Sequence, residues 1–171
     1  DDQHDDLKGR VTHTQIIPSS CGSINYHSTH VAGILLGNGS RSEYHGGTPQ
    51  QWRGVATNAT LISYQLWSTL SELERDYNDA IENHSISIST NSWGAPFEFG
   101  SVSYNELMSE LDSIVRENTT VASRRVTIVW AMPNEGYIDG FSWGRVGEYD
   151  GSKNVISVGA SYSDLDEVTC F

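Results

Sequence analysis

The chain has 171 residues, 22 of them Asp or Glu against 10 Lys or Arg, for a net charge of -12. Hydrophobic residues make up 37% and aromatics 10%, a packed globular composition rather than a disordered one. That length corresponds to one ordinary domain able to bury about 70% of its unfolded surface. So acidic a chain has no electrostatic footprint for phosphate backbones, which excludes nucleic acid and an anionic membrane surface as partners. No apolar run approaches the roughly 20 residues of a membrane span. Both ends read as cut from something longer. Two cysteines, Cys21 and Cys170, allow at most one disulfide, and sequence alone does not say whether they meet. Only two Lys, four Asn-x-Ser/Thr sequons (Asn38, Asn58, Asn83, Asn118) and abundant Ser and Thr suit an extracellular surface.

In chain order, Val11 to Ile17 reads as extended. His27 to Leu36 reads as a buried helix ended by Gly37-Asn38-Gly39. Ser40 to Arg53 is a polar loop, and Leu61 to Leu66 is strand-like. Ser71 to Glu74 has the pattern of a capping box, predicting an amphipathic helix to about Asn83. Ile86 to Asn91 alternates at period two. Ser103 to Glu106 is a second capping pattern, with Leu107, Leu111, Ile114 and Val115 on one helical face. Val126 to Ala131 and Val155 to Val158 are short β-branched runs. Strands separated by helices of about 10–15 residues predict an α/β fold: a doubly wound, mainly parallel sheet with helices on both faces. No repeat or linker interrupts residues 1–171, which are expected to form one domain or the greater part of one.

Ligand chemistry in such sheets sits in loops at the carboxyl ends of strands. Three segments stand out there: the approach to His27, Asn91-Ser92-Trp93-Gly94-Ala95-Pro96, and Ala131-Met132-Pro133-Asn134-Glu135-Gly136. A histidine at a helix start, exposed to a cleft, acts as a general base if a carboxylate orients one nitrogen and a hydroxyl meets the other. Taken alone, His27-x-x-His30 is equally a histidine in ordinary helix-start hydrogen bonds.

Read together, the segments resemble the subtilisin-like serine proteases, the subtilases. His27-Ser28-Thr29-His30-Val31-Ala32-Gly33 is similar to that family's His-Gly-Thr-His-Val-Ala-Gly. His4-Asp5-Asp6-Leu7 is similar to its His-Pro-Asp-Leu, just after the catalytic Asp. Arg53 to Leu61 resembles its Gly-Val-Ala-Pro turn and strand. Asn91 to Gly94 resembles the Ser-Trp/Leu-Gly substrate edge, Trp130 to Gly136 the Ala-Ala-Gly-Asn-x-Gly oxyanion segment, and Lys153 to Ala160 the strand that follows. Six matches in the family's order cover nearly the whole chain.

The resemblance implies a secreted, monomeric serine endopeptidase acting on peptides or proteins without an organic cofactor. It implies His27 as catalytic base and Asn134 as side-chain oxyanion donor. It also implies Ser92, Trp93 and Gly94 as the strand that pairs with substrate, and Ala131, Met132 and Pro133 as the pocket lining before the scissile bond. Asp6 takes the place of a structural calcium ligand. The segments bearing the triad's Asp and Ser are absent, so this stretch alone is expected to be inactive. Ser28 and Pro133 each replace a family glycine, and the loop from Ser40 to Arg53 lacks the pattern of a tight calcium site. Two alternatives stay open: a non-catalytic subtilase-like peptide-binding domain, and a metal-dependent hydrolase using His27, His30 and a carboxylate such as Asp6. Bland roles are expected elsewhere: packing for Trp52, Trp67 and Trp143, solvation for His13, His45 and His84, and an exposed helix face for Glu72, Glu74 and Asp76.

Overall fold

A computed structural model of the chain describes residues 1–14, 26–66, 69–94, 103–116, 125–134, 147, 149–164 and 167. Its residues fall into two compact units, Asp1–Leu66 and Trp67–Phe171. Among the described residues every strand pairing is parallel, in two small sheets accompanied by three helices, consistent with an α/β parallel fold.

In the first unit, β1 (Val11–His13) pairs with β2 (Leu61–Ser63), Val11 opposite Leu61. The predicted strand to Leu66 stops at Ser63. Between them in sequence lies α1 (Tyr26–Leu36), which buries Ala32 and Leu36, one turn apart, against Leu7. A helix end leaves its last carbonyls unpaired, and here an extended segment satisfies them. Gly54 N–H donates to Gly37 C=O at 2.7 Å, Val55 N–H to Ile34 C=O at 3.2 Å and Ala56 N–H to Leu35 C=O at 2.8 Å. Such an approach needs a glycine: a Cβ on Gly54 would stand 2.6 Å from the Gly33 oxygen. The intervening polar loop is built rather than open. It carries a 3-10 turn at Glu43–His45, and the buried Ser42 hydroxyl accepts the Trp52 N–H at 3.1 Å.

In the second unit the strand order is β3 (Ile88–Asn91), β4 (Thr127–Ala131), β5 (Ile156–Val158). Helix α2 (Leu70–Glu82) begins two residues before the predicted box: Thr69 is the cap, its hydroxyl accepting Glu72 N–H at 3.3 Å. At α3 (Glu106–Arg116) the Asn105 side chain, not Ser103, accepts the Met108 N–H at 2.9 Å. Leu73, Tyr77 and Ile81 from α2, Leu111 and Ile114 from α3, Val126 just before β4, and Ile128 and Trp130 on it make one core. Asp76, expected on an exposed face, is buried beside Tyr77 and bonded to the Arg75 guanidinium at 2.9 and 3.0 Å. Parity on β3 also surprises. Ile88 is exposed, whereas Asn91 is buried and Ser89 half-buried. The Tyr77 hydroxyl meets Ser89 Oγ at 2.9 Å, and Asn91 Nδ2 donates to Ser89 Oγ and to Val129 C=O.

The buried Asp112 of α3 anchors the approach to β5. Its carboxylate accepts the Tyr104 hydroxyl at 2.7 Å, Asn154 N–H at 2.7 Å and Lys153 N–H at 3.1 Å. Burial alone would push this carboxyl up, but the three donors outweigh it and hold it below the ordinary carboxylate range. The folded state thus binds this proton more weakly than the unfolded chain does. The stabilisation is present above the unfolded pKa and is lost as pH falls through the folded one. In urea unfolding, Asp112→Asn is expected to be less stable than the parent at neutral pH, with the gap closing in acid. A gap that stays constant with pH would refute this.

Candidate active site

Parallel pairing sets the site's frame. Asn91 on β3 stands opposite Trp130 on β4, so both strands end at the same edge, and their chains leave about 4.8 Å apart. Ser92, Trp93 and Gly94 continue one chain; Met132, Pro133 and Asn134 continue the other after Ala131. A hydrogen bond ties the two together: the indole N–H of the buried Trp130 donates to the Trp93 carbonyl at 2.7 Å. The rings pack as well. Trp93 and Trp130 meet at 5.0 Å and 61°, Trp93 and Tyr149 at 5.0 Å and 57°, and Tyr149 stacks on Trp130 at 4.6 Å and 7°. Ser92, Trp93, Ala131, Met132 and Pro133 are half-buried, while Gly94 and Asn134 are exposed.

A third segment closes in from β5. Met132 N–H donates to Val158 C=O at 2.9 Å, carrying the β4–β5 pairing past Ala131. The turn before β5 brings Tyr149 and Asp150. Asp150 is buried; its Oδ1 accepts Gly147 N–H at 2.8 Å and its carbonyl accepts Ser157 Oγ at 2.6 Å. Among the described residues, Asp150 Oδ2 is the one buried side-chain oxygen or nitrogen with no partner. Burial pushes this carboxyl above the usual range, against the opposing pull of the Gly147 N–H. Sequence reasoning missed Asp150, for an acid in a polar loop carries no periodic signal. Trp130 was legible only as a motif member, although it shares strand parity with Ile128.

His27 and Asp6 belong to the other unit, Asp1–Leu66. His27 is the second residue of α1 and is exposed, as are Ser28 and His30. Asp6 lies by the loop after α1. Its Oδ1 accepts Ser40 Oγ at 2.6 Å and Arg41 N–H at 3.0 Å, while its carbonyl accepts the Asn38 N–H and the Arg10 guanidinium. Calcium takes six to eight oxygens. One carboxylate already committed to two protein donors, with the Arg41 guanidinium held at 3.0 Å by neighbouring Asp5, does not by itself fit that ion. Among the described residues no three or more His, Cys, Asp or Glu side chains gather as metal ligands, so His27, His30 and Asp6 are not brought together in that role. Ala95, Pro96, Glu135, Gly136, Trp67, Trp143, Cys21 and Cys170 lie outside the described residues.

The model of the Subtilase family matches residues 2–168. The curated proteins and the solved structures each give no match to the chain.

The Trp130–Trp93 bond has a measurable worth. Trp130→Phe keeps a ring on Tyr149 but leaves the Trp93 carbonyl without its donor, at a cost of about 1–3 kcal/mol. Denaturant unfolding of parent and variant measures it; a loss under about 0.5 kcal/mol would mean that water replaces the indole at no cost.

Proposed function

The chain belongs to the subtilase family, one of serine peptidases, and on that premise we propose that it carries the general base, the oxyanion donor and one wall of the substrate cleft of a secreted endopeptidase. The observation that most supports this is the side-by-side departure of Ser92–Gly94 and Met132–Asn134 from paired strands. A peptide in extended form adds to such an edge by backbone hydrogen bonds. The Trp93 carbonyl accepts the Trp130 indole, which holds the Ser92–Gly94 edge against β4. Ala131, Met132 and Pro133 line the pocket for the residue before the scissile bond.

In the reaction, a serine hydroxyl attacks the carbonyl carbon of the scissile bond while His27 takes its proton. Charge develops on the carbonyl oxygen, and the Asn134 side-chain amide donates to it. Pro133 has no N–H to offer, which puts more of that task on Asn134. As the carbon–nitrogen bond breaks, His27 returns the proton to the leaving amine. Water then attacks the acyl-serine by the same exchange, freeing the acid and restoring the serine. The serine, and the aspartate that orients His27, belong to the rest of the enzyme, so residues 1–171 alone do not hydrolyse peptides. No metal or organic cofactor takes part in these steps, and the enzyme acts as a monomer outside the cell. Among the described residues, no helix is long and apolar enough to cross a membrane.

Steady-state kinetics on the full-length enzyme test the two roles. His27→Ala is expected to leave only residual catalysis, because the triad works as a unit. Asn134→Ala is expected to lower kcat by about 10²–10³ with KM little changed, since its bond forms in the transition state. A structural Asn134 would instead lower the melting temperature and raise KM. If Asn134→Ala keeps kcat within about threefold of the parent, the oxyanion assignment fails. A full-length protein that binds peptides yet resists labelling by a fluorophosphonate would be the peptide-binding relative instead.

A further inference from the structure

The Asn-x-Ser/Thr sequons are not scattered over the fold. Asn38 and Asn58 lie between α1 and β2, and Asn83 caps α2 just before β3. Asn118, outside the described residues, falls in sequence between α3 and β4. Each thus occupies a segment that leads from a helix to the next strand. The segments that lead from a strand to the next helix, 14–25, 64–69 and 92–105, hold none, although their total length is comparable. In a parallel sheet the two kinds of segment lie at opposite ends of the strands, and ligand chemistry belongs to the strand-to-helix end. Within the first unit the separation has a scale. His27 opens α1, whereas the segment before Asn58 is bonded to its far end, Val55 N–H to Ile34 C=O and Ala56 N–H to Leu35 C=O. The helix from His27 to Leu36 puts about 14 Å between these ends. In the second unit Asn83 precedes β3, whose other end delivers Ser92.

Asn58 belongs to the sequon least engaged in holding the fold. Ser40, of the Asn38 sequon, commits its hydroxyl to Asp6 Oδ1 at 2.6 Å, and Asn83 commits its amide to Asp79 Oδ1 at 2.7 Å. Asn58 and Thr60 are both exposed, and neither side chain has a hydrogen-bond partner among the described residues. The backbone beneath them is fixed all the same. Ala59 N–H donates to Ala56 C=O at 2.9 Å, and Arg10 Nη1 donates to the carbonyls of Thr57 at 2.8 Å and Ala59 at 3.3 Å. Asparagine suits the middle of such a turn, and this turn keeps its amide at the surface without drawing it into a bond.

We propose that Asn58 carries an N-linked oligosaccharide, set at the end of α1 remote from His27 so that the catalytic end stays clear. Asn58 Nδ2 attacks the anomeric carbon of a lipid-pyrophosphate-linked oligosaccharide. The new C–N bond replaces the C–O bond to pyrophosphate, the lipid pyrophosphate leaves, and Nδ2 gives up one proton. This rests on the reading of the enzyme as secreted, since that transfer acts on chains entering the secretory route.

The full-length enzyme is purified from the culture medium of the cells that produce it and treated with peptide N-glycosidase in heavy-oxygen water. That enzyme turns a glycosylated asparagine into an aspartate bearing the heavy label, and mass spectrometry is expected to find the label at position 58. Labelling of the unaltered protein depends on no variant. Asn58→Gln and Thr60→Ala, produced in the same cells, are each expected to lose the mass of one glycan. Both variants, and the parent stripped of its sugar, should keep the kcat/KM of the untreated parent on a short peptide. An unlabelled Asn58 in protein taken from the medium overturns the proposal and leaves the secretion reading standing. If the enzyme is found inside the cells and unmodified, the secretion reading falls and takes the proposal with it. If position 58 is labelled but the stripped parent and both variants lose kcat/KM, the sugar acts on the cleft and the remote placement is wrong.

Discussion

One indole N–H holds the edge of the second sheet in order. The Trp93 carbonyl lies just beyond β3, where the ladder to β4 no longer reaches it, and Trp130 Nε1 fills that vacancy at 2.7 Å. The same ring stacks on Tyr149, which precedes Asp150 in the turn before β5. Three segments of the candidate cleft thus depend on a single side chain: the Ser92–Gly94 edge, the Met132–Asn134 segment and the Asp150 turn. Trp130 suits this position because it combines a large apolar body, seated among Ile128, Leu111 and Leu73, with one polar atom at its rim. Phenylalanine would fill the core but leave the carbonyl; a smaller polar residue would reach neither.

Three buried aspartates show how environment separates groups of identical chemistry. Asp76 is bonded to the adjacent Arg75 guanidinium. Asp112 gathers three neutral donors and is held ionised. Asp150 Oδ2 has no partner, and burial prevails over the backbone donors around the carboxyl. The first two tie elements together, α2 through its own neighbour and α3 to the approach of β5. The third ties little, and what sets it apart is the mismatch between the acceptors it offers and the donors it receives.

Much of this was legible before any coordinates. Period two marked β3, a β-branched run marked β4, amphipathic spacing marked α2 and α3, and the Gly37-Asn38-Gly39 stop marked the end of α1. The motifs also fell in the family's order. The caps were displaced because Thr69 and Ser71, or Ser103 and Asn105, offer similar chemistry, and only backbone geometry decides which one the chain uses. The parity of β3 was hidden for another reason. Alternating Ile86 and Ile88 suggest an apolar inner face, yet the buried Tyr77 hydroxyl and the Val129 carbonyl call for polar partners, which Ser89 and Asn91 supply. Asp76 was misread because charge suggested solvent, while its place between Leu73, Tyr77 and Ala80 on α2 put it against the core. For the site, His27, Ser92–Gly94 and Asn134 were readable as patterns. Asp150 was not, because its environment comes from Gly147 and Pro133, neighbours that no spacing rule connects.

The clamp that Gly54, Val55 and Ala56 place on the end of α1 also bears on how this scaffold tolerates change. Those three bonds, with the Asp6 bonds to Ser40 and Arg41, fasten the base of the loop from Asn38 to Arg53 independently of its tip. At the tip, Gly46 is exposed, with a φ of 88° and open space where a side chain would go. Lengthening a loop whose ends are already fastened costs little, about 0.6 kcal/mol for each doubling. Foreign peptides or randomised stretches can be grafted at Gly46 without unfastening α1, which makes this loop a natural port for displayed sequences.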